Sequence, residues 1–167
     1  MEHVFVETKI LGSDDGAVSG VAWKFGTPDR IGDWIEPGAF KGAKLPIPML
    51  FGHDMNDPVG TWDSATEKPD GLHISGKLLV DDVARAREVR ALVKSGAVRG
   101  LSLGFVTRKA VSRTGGGRTI KSLELLEASL VTIPMHPGAK VTSAKSAVRA
   151  LQIATAINRA TAQIRRS

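Results

Sequence analysis

The sequence has 167 residues, of which 42% are hydrophobic, and this predicts a single globular domain with a sizeable core. No apolar run reaches the roughly 18 residues that a transmembrane helix needs, and the first residues lack a signal-peptide pattern, so we expect no membrane partner. Cysteine is absent, which excludes disulfides, thiolate metal sites and a cysteine nucleophile, and fits folding in a cytoplasm.

The net charge of +6 is concentrated at the C-terminal end of the chain. The remaining Lys and Arg residues equal the 17 acidic residues in number, so the body of the chain is close to neutral and gives no indication of nucleic-acid binding. The basic tail could contact an acidic partner such as nucleic acid, or it could simply be solvated. No acidic residue follows Glu127, whereas six basic residues do: Lys140, Lys145, Arg149, Arg159, Arg165 and Arg166.

The first third of the sequence is dominated by β patterns. Apolar and polar residues alternate over 4–11, and residues 17–25 predict a second strand, so the turn signal at 14–16 favours a hairpin between them. Residues 35–40, with a proline in the first turn, predict a short helix. The apolar run 47–51 is too short for a helix and predicts a buried strand.

The middle of the sequence predicts a hairpin followed by a helix. Residues 60–63 and 72–80 are the two strands of the hairpin. Apolar residues then recur at helical spacing from Asp81 to Ser95, with Asp81 or Asp82 as the N-cap and the glycine that follows as the C-terminal stop.

The last part of the sequence predicts a long hairpin and then a helical tail. Strands at 102–111 and 120–133 flank a glycine-rich tip at 115–117. After this the composition shifts to Ala, Arg, Thr and Gln with a narrow apolar stripe, which predicts a helix. We therefore divide the chain into a main domain at 1–142 and a basic helical C-terminal tail at 143–167.

Motifs for phosphate loops, dinucleotide binding and zinc sites are absent from the sequence, and its four histidines are scattered. We therefore predict no cofactor and no metal. Two other stretches combine reactive groups with apolar runs. Ser102 lies between Gly100 and Gly104, which allow a backbone to approach closely, and His53 ends the apolar run 48–52. These are candidates for a nucleophile and its general base, although a serine in such a strand is more often a core hydroxyl bonded to the backbone.

Five blocks of the sequence resemble the family of tailed-phage prohead (capsid maturation) proteases. The blocks occur in the family's order and lie between residues 17 and 142. They are Gly20–Phe25, Gly32–Phe40, Pro48–Asp54 with Pro58–Gly60, Gly96–Phe105 and Leu126–Met135.

The resemblance implies a serine endopeptidase of α+β class, whose mainly antiparallel β-barrel, flanked by helices, is similar to that of the herpesvirus assemblins. It implies that Ser102 is the nucleophile and His53 the general base. Glu127, on the strand expected beside that of Ser102, is the favoured third member. Asp54 and His136 stay open as alternatives, because Asp54 adjoins the histidine and the assemblin-type site uses a second histidine.

The resemblance also implies where and on what the protein acts. The expected substrates are the scaffolding region of the major capsid protein, inside the immature capsid in the host bacterial cytoplasm, and the protease itself. A homodimer is implied by the assemblin likeness. Backbone N–H groups at 138–140 or around Ser102 are candidate oxyanion donors. The competing interpretations are a non-enzymatic capsid-assembly protein that keeps the fold and a basic nucleic-acid-binding module.

Overall fold

The computed structural model describes residues 2–7, 11–12 and 15–132 of the chain. Within these ranges it contains strands and a single helix, numbered here in chain order. They are β1 (Glu2–Glu7), β2 (Leu11–Gly12), β3 (Ala17–Lys24), β4 (Trp34–Ile35), β5 (Ile47–Phe51), β6 (Pro58–Lys68), β7 (Gly71–Leu78), α1 (Ala84–Ser95), β8 (Gly100–Ser112) and β9 (Arg118–Val131).

The strands form one sheet in the order β1-β8-β9-β5-β6-β7-β3-β2, with β4 added against β9. The pairs are antiparallel except for β5 with β9 and β4 with β9, which are parallel. The sheet curls so far that β1, near one end of the order, comes close to β3, near the other end. The described residues therefore form a curled half-barrel, and the prediction of a mainly antiparallel β protein is confirmed at this level.

Alternation along β8 separates the two faces of the curled sheet. Leu101, Leu103 and Phe105 are fully buried in the main hydrophobic core. Because successive strand residues point to opposite faces, Ser102 and Gly104 lie on the other face of the same strand. The apolar run thus builds the core with one half of its residues and presents a hydroxyl with the other half.

Helix α1 begins later in the chain than the sequence predicts. It begins at Ala84, and its N-cap is Val83 in an extended conformation without a side-chain cap, so the prediction that Asp81 or Asp82 caps it is wrong. A turn that bonds the Val83 N–H to the Leu79 carbonyl oxygen holds this segment and leaves both aspartates too far upstream. The predicted stop at Gly96 is confirmed, with a left-handed φ of 77°.

Two predictions for the first third of the chain are wrong. The predicted first strand does not pair with β3 as a whole, because residues 2–7 pair with β8 and only Leu11 and Gly12 pair with β3. The helix predicted at 35–40 is a series of turns after β4. Its backbone is held from outside, since both carboxylate oxygens of Glu67 accept backbone N–H groups, those of Gly38 at 2.6 Å and Phe40 at 2.9 Å.

No helix within 2–7, 11–12 and 15–132 is long and apolar enough to cross a membrane. The helix predicted in the tail at 143–167 lies outside the described residues, so the predicted division of the chain stays a prediction.

Candidate active site

The β8–β9 ladder places the candidate residues Ser102 and Glu127 together on one face of the sheet. Ser102 pairs directly with Ser129, and Gly104 pairs with Glu127. Directly opposed residues of an antiparallel pair project from the same face, and residues two apart on a strand share that face. Ser102, Ser129 and Glu127 are therefore neighbours on the face that does not point into the main core, and all three are buried.

The chain brings His53 onto this face by a sharp reversal at the end of β5. Strand β5 runs parallel to β9, with Leu50 opposite Ser129. The Gly52 N–H then bonds to the Leu130 carbonyl oxygen at 3.0 Å, and Gly52 and His53 both adopt positive φ, 63° and 64°. His53 is the sole described non-glycine residue with a positive φ, a conformation that costs about 1 kcal/mol or more and is characteristic of functional sites.

The His53 ring contacts the carboxylate of Glu127. The Nδ1 atom lies 3.1 Å from Oε1 of Glu127, whose side chain is 2% exposed. A carboxylate can only accept a hydrogen bond, so the proton of a neutral ring belongs on Nδ1. The buried Nε2 atom is then the basic nitrogen of the ring, as a general base requires.

Ser129 contacts both members of this pair. Its hydroxyl donates to Oε2 of Glu127 at 2.7 Å, and its oxygen accepts the backbone N–H of His53 at 3.2 Å. Glu127 therefore has one carboxylate oxygen facing the imidazole and the other facing a hydroxyl. Ser129 lies two residues from Glu127 on the same strand and therefore shares its face, but a strand pattern in the sequence does not show which partners a hydroxyl has.

Gly104 provides the space that the Glu127 side chain occupies. A Cβ atom at this position would lie 2.3 Å from Oε1 of Glu127 and 2.7 Å from its Cγ. The sequence interpretation gave this glycine the role of admitting a substrate backbone. In the structure, the volume above Gly104 is filled by the carboxylate that faces His53.

The loop that carries His53 is also held from the helix side. The guanidinium of Arg85 on α1 lies 4.7 Å from the centre of the Phe51 ring, and its Nε donates to Asp57 at 3.2 Å. Asp54 is exposed, and its Oδ1 accepts the N–H of Asn56 at 2.8 Å. Asp54 therefore stabilises the turn, while the imidazole Nδ1 faces Glu127.

The candidate nucleophile and the candidate general base are both shielded from solvent. Ser102 has no exposed surface, and the His53 side chain is only 16% exposed. A nucleophile must come within about 3–3.5 Å of a carbonyl carbon before it can attack. A substrate carbonyl must therefore come to within this distance of the buried Ser102 hydroxyl.

Some of the predicted site residues lie outside the described part of the chain. They are His136, the alternative third member, and the candidate oxyanion donors at 138–140. Among residues 2–7, 11–12 and 15–132, no group of three or more His, Cys, Asp or Glu side chains is placed to hold a metal ion.

A buried serine, an imidazole and a carboxylate gathered on one sheet face are the groups of a serine hydrolase. Comparison with known proteins shows which family of serine hydrolases the chain belongs to. Residues 5–153 match the family described as the caudovirus prohead serine proteases. The chain belongs to this family, as the resemblance of the five sequence blocks predicted.

Relatives from three phages support the same assignment. The chain is 36% identical over 160 residues to the capsid polyprotein of Pseudomonas phage PAJU2, covering 91% of the chain and 23% of the polyprotein. It is 35% identical over 152 residues to the prohead protease of Enterobacteria phage HK97, covering 85% of the chain and 67% of that protease. It is 31% identical over 126 residues to the prohead protease of Escherichia phage T5, covering 71% of the chain and 58% of that protease.

The fold has a counterpart among solved structures. The bacteriophage T4 capsid assembly protease superimposes with a TM-score of 0.56 at 11% sequence identity, covering 78% of this chain and 99% of the T4 chain. At this identity the match shows a shared fold. The chain spans about a quarter of the polyprotein and about two thirds of the HK97 protease that it matches.

Proposed function

We propose that this protein is a serine endopeptidase of phage prohead maturation, with Ser102 as nucleophile, His53 as general base and Glu127 as the residue that orients His53. The observation that carries the proposal is the His53–Glu127 contact of 3.1 Å on the sheet face of Ser102, in a chain of this family. The buried carboxylate fixes the tautomer that leaves Nε2 able to accept a proton.

The proposed reaction follows the acyl-transfer sequence. The Ser102 oxygen attacks the scissile carbonyl carbon while its proton passes to Nε2 of His53. The resulting imidazolium is stabilised by Glu127 and returns the proton to the leaving amine as the C–N bond breaks. Water then hydrolyses the ester on Ser102, with Nε2 again taking the proton, and the serine hydroxyl is restored.

The proposed substrates are the major capsid protein, at its scaffolding region, and the protease itself, inside the immature capsid in the host cell. One relative is a capsid polyprotein, which supports a capsid substrate. The burial of Ser102 is consistent with an enzyme whose site must rearrange before it acts. The homodimer, the likeness to the assemblin barrel and a contact of the basic tail with nucleic acid stay predictions.

The division into a protease domain at 1–142 and a tail at 143–167 is part of the proposal. Its basis is the charge and composition shift, which suits a segment for packaging or self-processing. Mass spectrometry of the purified protein tests this, and we expect a trimmed tail in the wild type and an intact one in Ser102→Ala. Either an intact tail in active enzyme or a trimmed tail in Ser102→Ala would contradict it.

Coexpression with the capsid protein of the same phage tests the proposed activity. We expect wild type and the control Ser122→Ala, an exposed serine on β9, to cleave the capsid protein, and Ser102→Ala and His53→Ala to leave it intact. Cleavage that persists unchanged in both active-site variants would refute the mechanism. Shells that form without cleavage by wild type would favour the non-enzymatic assembly protein instead.

A further inference from the structure

We infer that Ser129 is a positioning residue of the active site. Through its one hydroxyl group it fixes the positions of the general base and its carboxylate relative to each other. The inference rests on the proposed function, because it assigns a role within the His53–Glu127 pair. It concerns a residue that neither attacks the substrate nor exchanges a proton with it.

The burial of Ser129 calls for such a role. The residue has no exposed surface, and its chain neighbours Ala128 and Leu130 belong to the hydrophobic core. A buried hydroxyl needs partners for its hydrogen and its oxygen. Ser129 finds both at the site: the carboxylate of Glu127 at 2.7 Å accepts its hydrogen, and the N–H of His53 at 3.2 Å donates to its oxygen.

The second of these bonds fixes the backbone of the general base. His53 follows the reversal at Gly52 and lies beyond Phe51, the last residue of β5 that pairs with β9, and its φ of 64° is unfavourable for a residue with a side chain. Ser129 supplies the acceptor that this N–H requires. His53 is therefore anchored through its backbone to β9, the strand that also carries Glu127.

The first bond fixes the carboxylate. Oε1 of Glu127 faces Nδ1 of His53 at 3.1 Å, and Oε2 faces the Ser129 hydroxyl. With both oxygens engaged, the plane of the carboxylate cannot rotate without breaking a hydrogen bond. One side chain thus restrains both ends of the contact that orients the base, and losing the hydroxyl loosens both ends at once.

The inference predicts a defect in turnover with unchanged substrate binding. In Ser129→Ala, we expect kcat to fall about 10- to 100-fold, because a misplacement of about 1 Å in a catalytic group has an effect of this size. KM should stay within about twofold of wild type. Ser129→Thr keeps the hydroxyl and should retain at least about tenfold more activity than Ser129→Ala.

The experiment measures cleavage of the purified capsid protein by full-length enzyme and, in parallel, the NMR signal of the His53 Nδ1 proton. Ser122→Ala, on the exposed part of the same strand, is the matched control, and Glu127→Gln is the reference for a lost carboxylate. We expect Ser129→Ala to shift or broaden the Nδ1 signal and Ser122→Ala to leave it unchanged. Thermal unfolding verifies that each variant is folded at the assay temperature.

Several outcomes would overturn the inference. Wild-type kcat in folded Ser129→Ala would do so, as would equal activity of the Ala and Thr variants or an unchanged Nδ1 signal in Ser129→Ala. A strong defect in Glu127→Gln with none in Ser129→Ala would refute the role of Ser129 and leave the proposed function intact. Full activity in both Glu127→Gln and Ser102→Ala would instead refute the proposed function itself.

Discussion

Replacing Gly104 by Ala should disable the active site without unfolding the protein. The backbone of Gly104 has an ordinary φ, so alanine can adopt it, and the atoms nearest to the added Cβ belong to one side chain, from its Cγ outward, rather than to the backbone. That side chain is Glu127, whose Oε1 would lie 2.3 Å from the new carbon. The carboxylate must therefore move away, while the β8–β9 ladder can stay in place.

The size of the effect follows from this distance. An ordinary contact between such atoms begins near 3.4 Å, so Oε1 must retreat by roughly 1 Å. A displacement of this size is large enough to break the contact with Nδ1 of His53, which is now 3.1 Å. We expect kcat/KM to fall at least ~100-fold and at most ~10⁴-fold, the latter being the loss when a triad carboxylate is neutralised.

The assay compares Gly104→Ala with two other glycine variants in thermal unfolding and in capsid-protein cleavage. Gly42→Ala is the neutral control, because nothing lies within 4 Å of its Cβ. Gly76→Ala is the structural control, because its Cβ would lie 2.0 Å from the backbone oxygen of Thr61 and should destabilise the fold by roughly 1–3 kcal/mol. Wild-type cleavage by folded Gly104→Ala would refute the proposed role of the Glu127 carboxylate.

Two further predictions concern the loop at 29–33, which is fixed to the β8–β9 hairpin. Asp33→Asn should lower stability by about 1–2 kcal/mol and Tm by roughly 2–8 °C, because the buried carboxylate accepts the Arg118 backbone N–H at 2.8 Å and also pairs with the half-exposed guanidinium; an unchanged Tm in calorimetry would contradict this. Asp29→Asn should raise Tm at pH 7, because burial and then the charge of Asp33 raise the pKa of Asp29, so the folded state disfavours its charged form. The gain should vanish as the pH falls through that raised pKa and wild-type Asp29 becomes neutral; a gain that persists at low pH would contradict the electrostatic cause.

The elements that carry strong local patterns were predicted well from the sequence. The strand around Ser102 and its return strand follow from alternating apolar residues on either side of a glycine-rich tip. The end of α1 follows from Gly96, which accepts a left-handed φ. The family was predicted from short blocks that include the segments around His53 and Glu127, and the comparisons confirm it.

Features that depend on contacts distant in sequence were not predicted. Residues 2–7 pair with β8, about 100 positions along the chain, although the nearby turn favoured a local hairpin. The start of α1 depends on a backbone bond at Val83 rather than on either aspartate. At the site, the partners of Ser129 and the space above Gly104 depend on how three strands meet, and a pattern along one strand carries no such information.

The central claim is that Ser102 is the nucleophile, and covalent labelling tests this claim most directly. Shells assembled from this protein and its capsid protein would be treated with a fluorophosphonate, which forms an ester with an activated serine hydroxyl, and the modified peptide would be identified by mass spectrometry. We predict an adduct on Ser102 that is absent in His53→Ala. An adduct on another residue, an undiminished Ser102 adduct in His53→Ala, or no adduct in shells that do cleave their capsid protein would contradict the account.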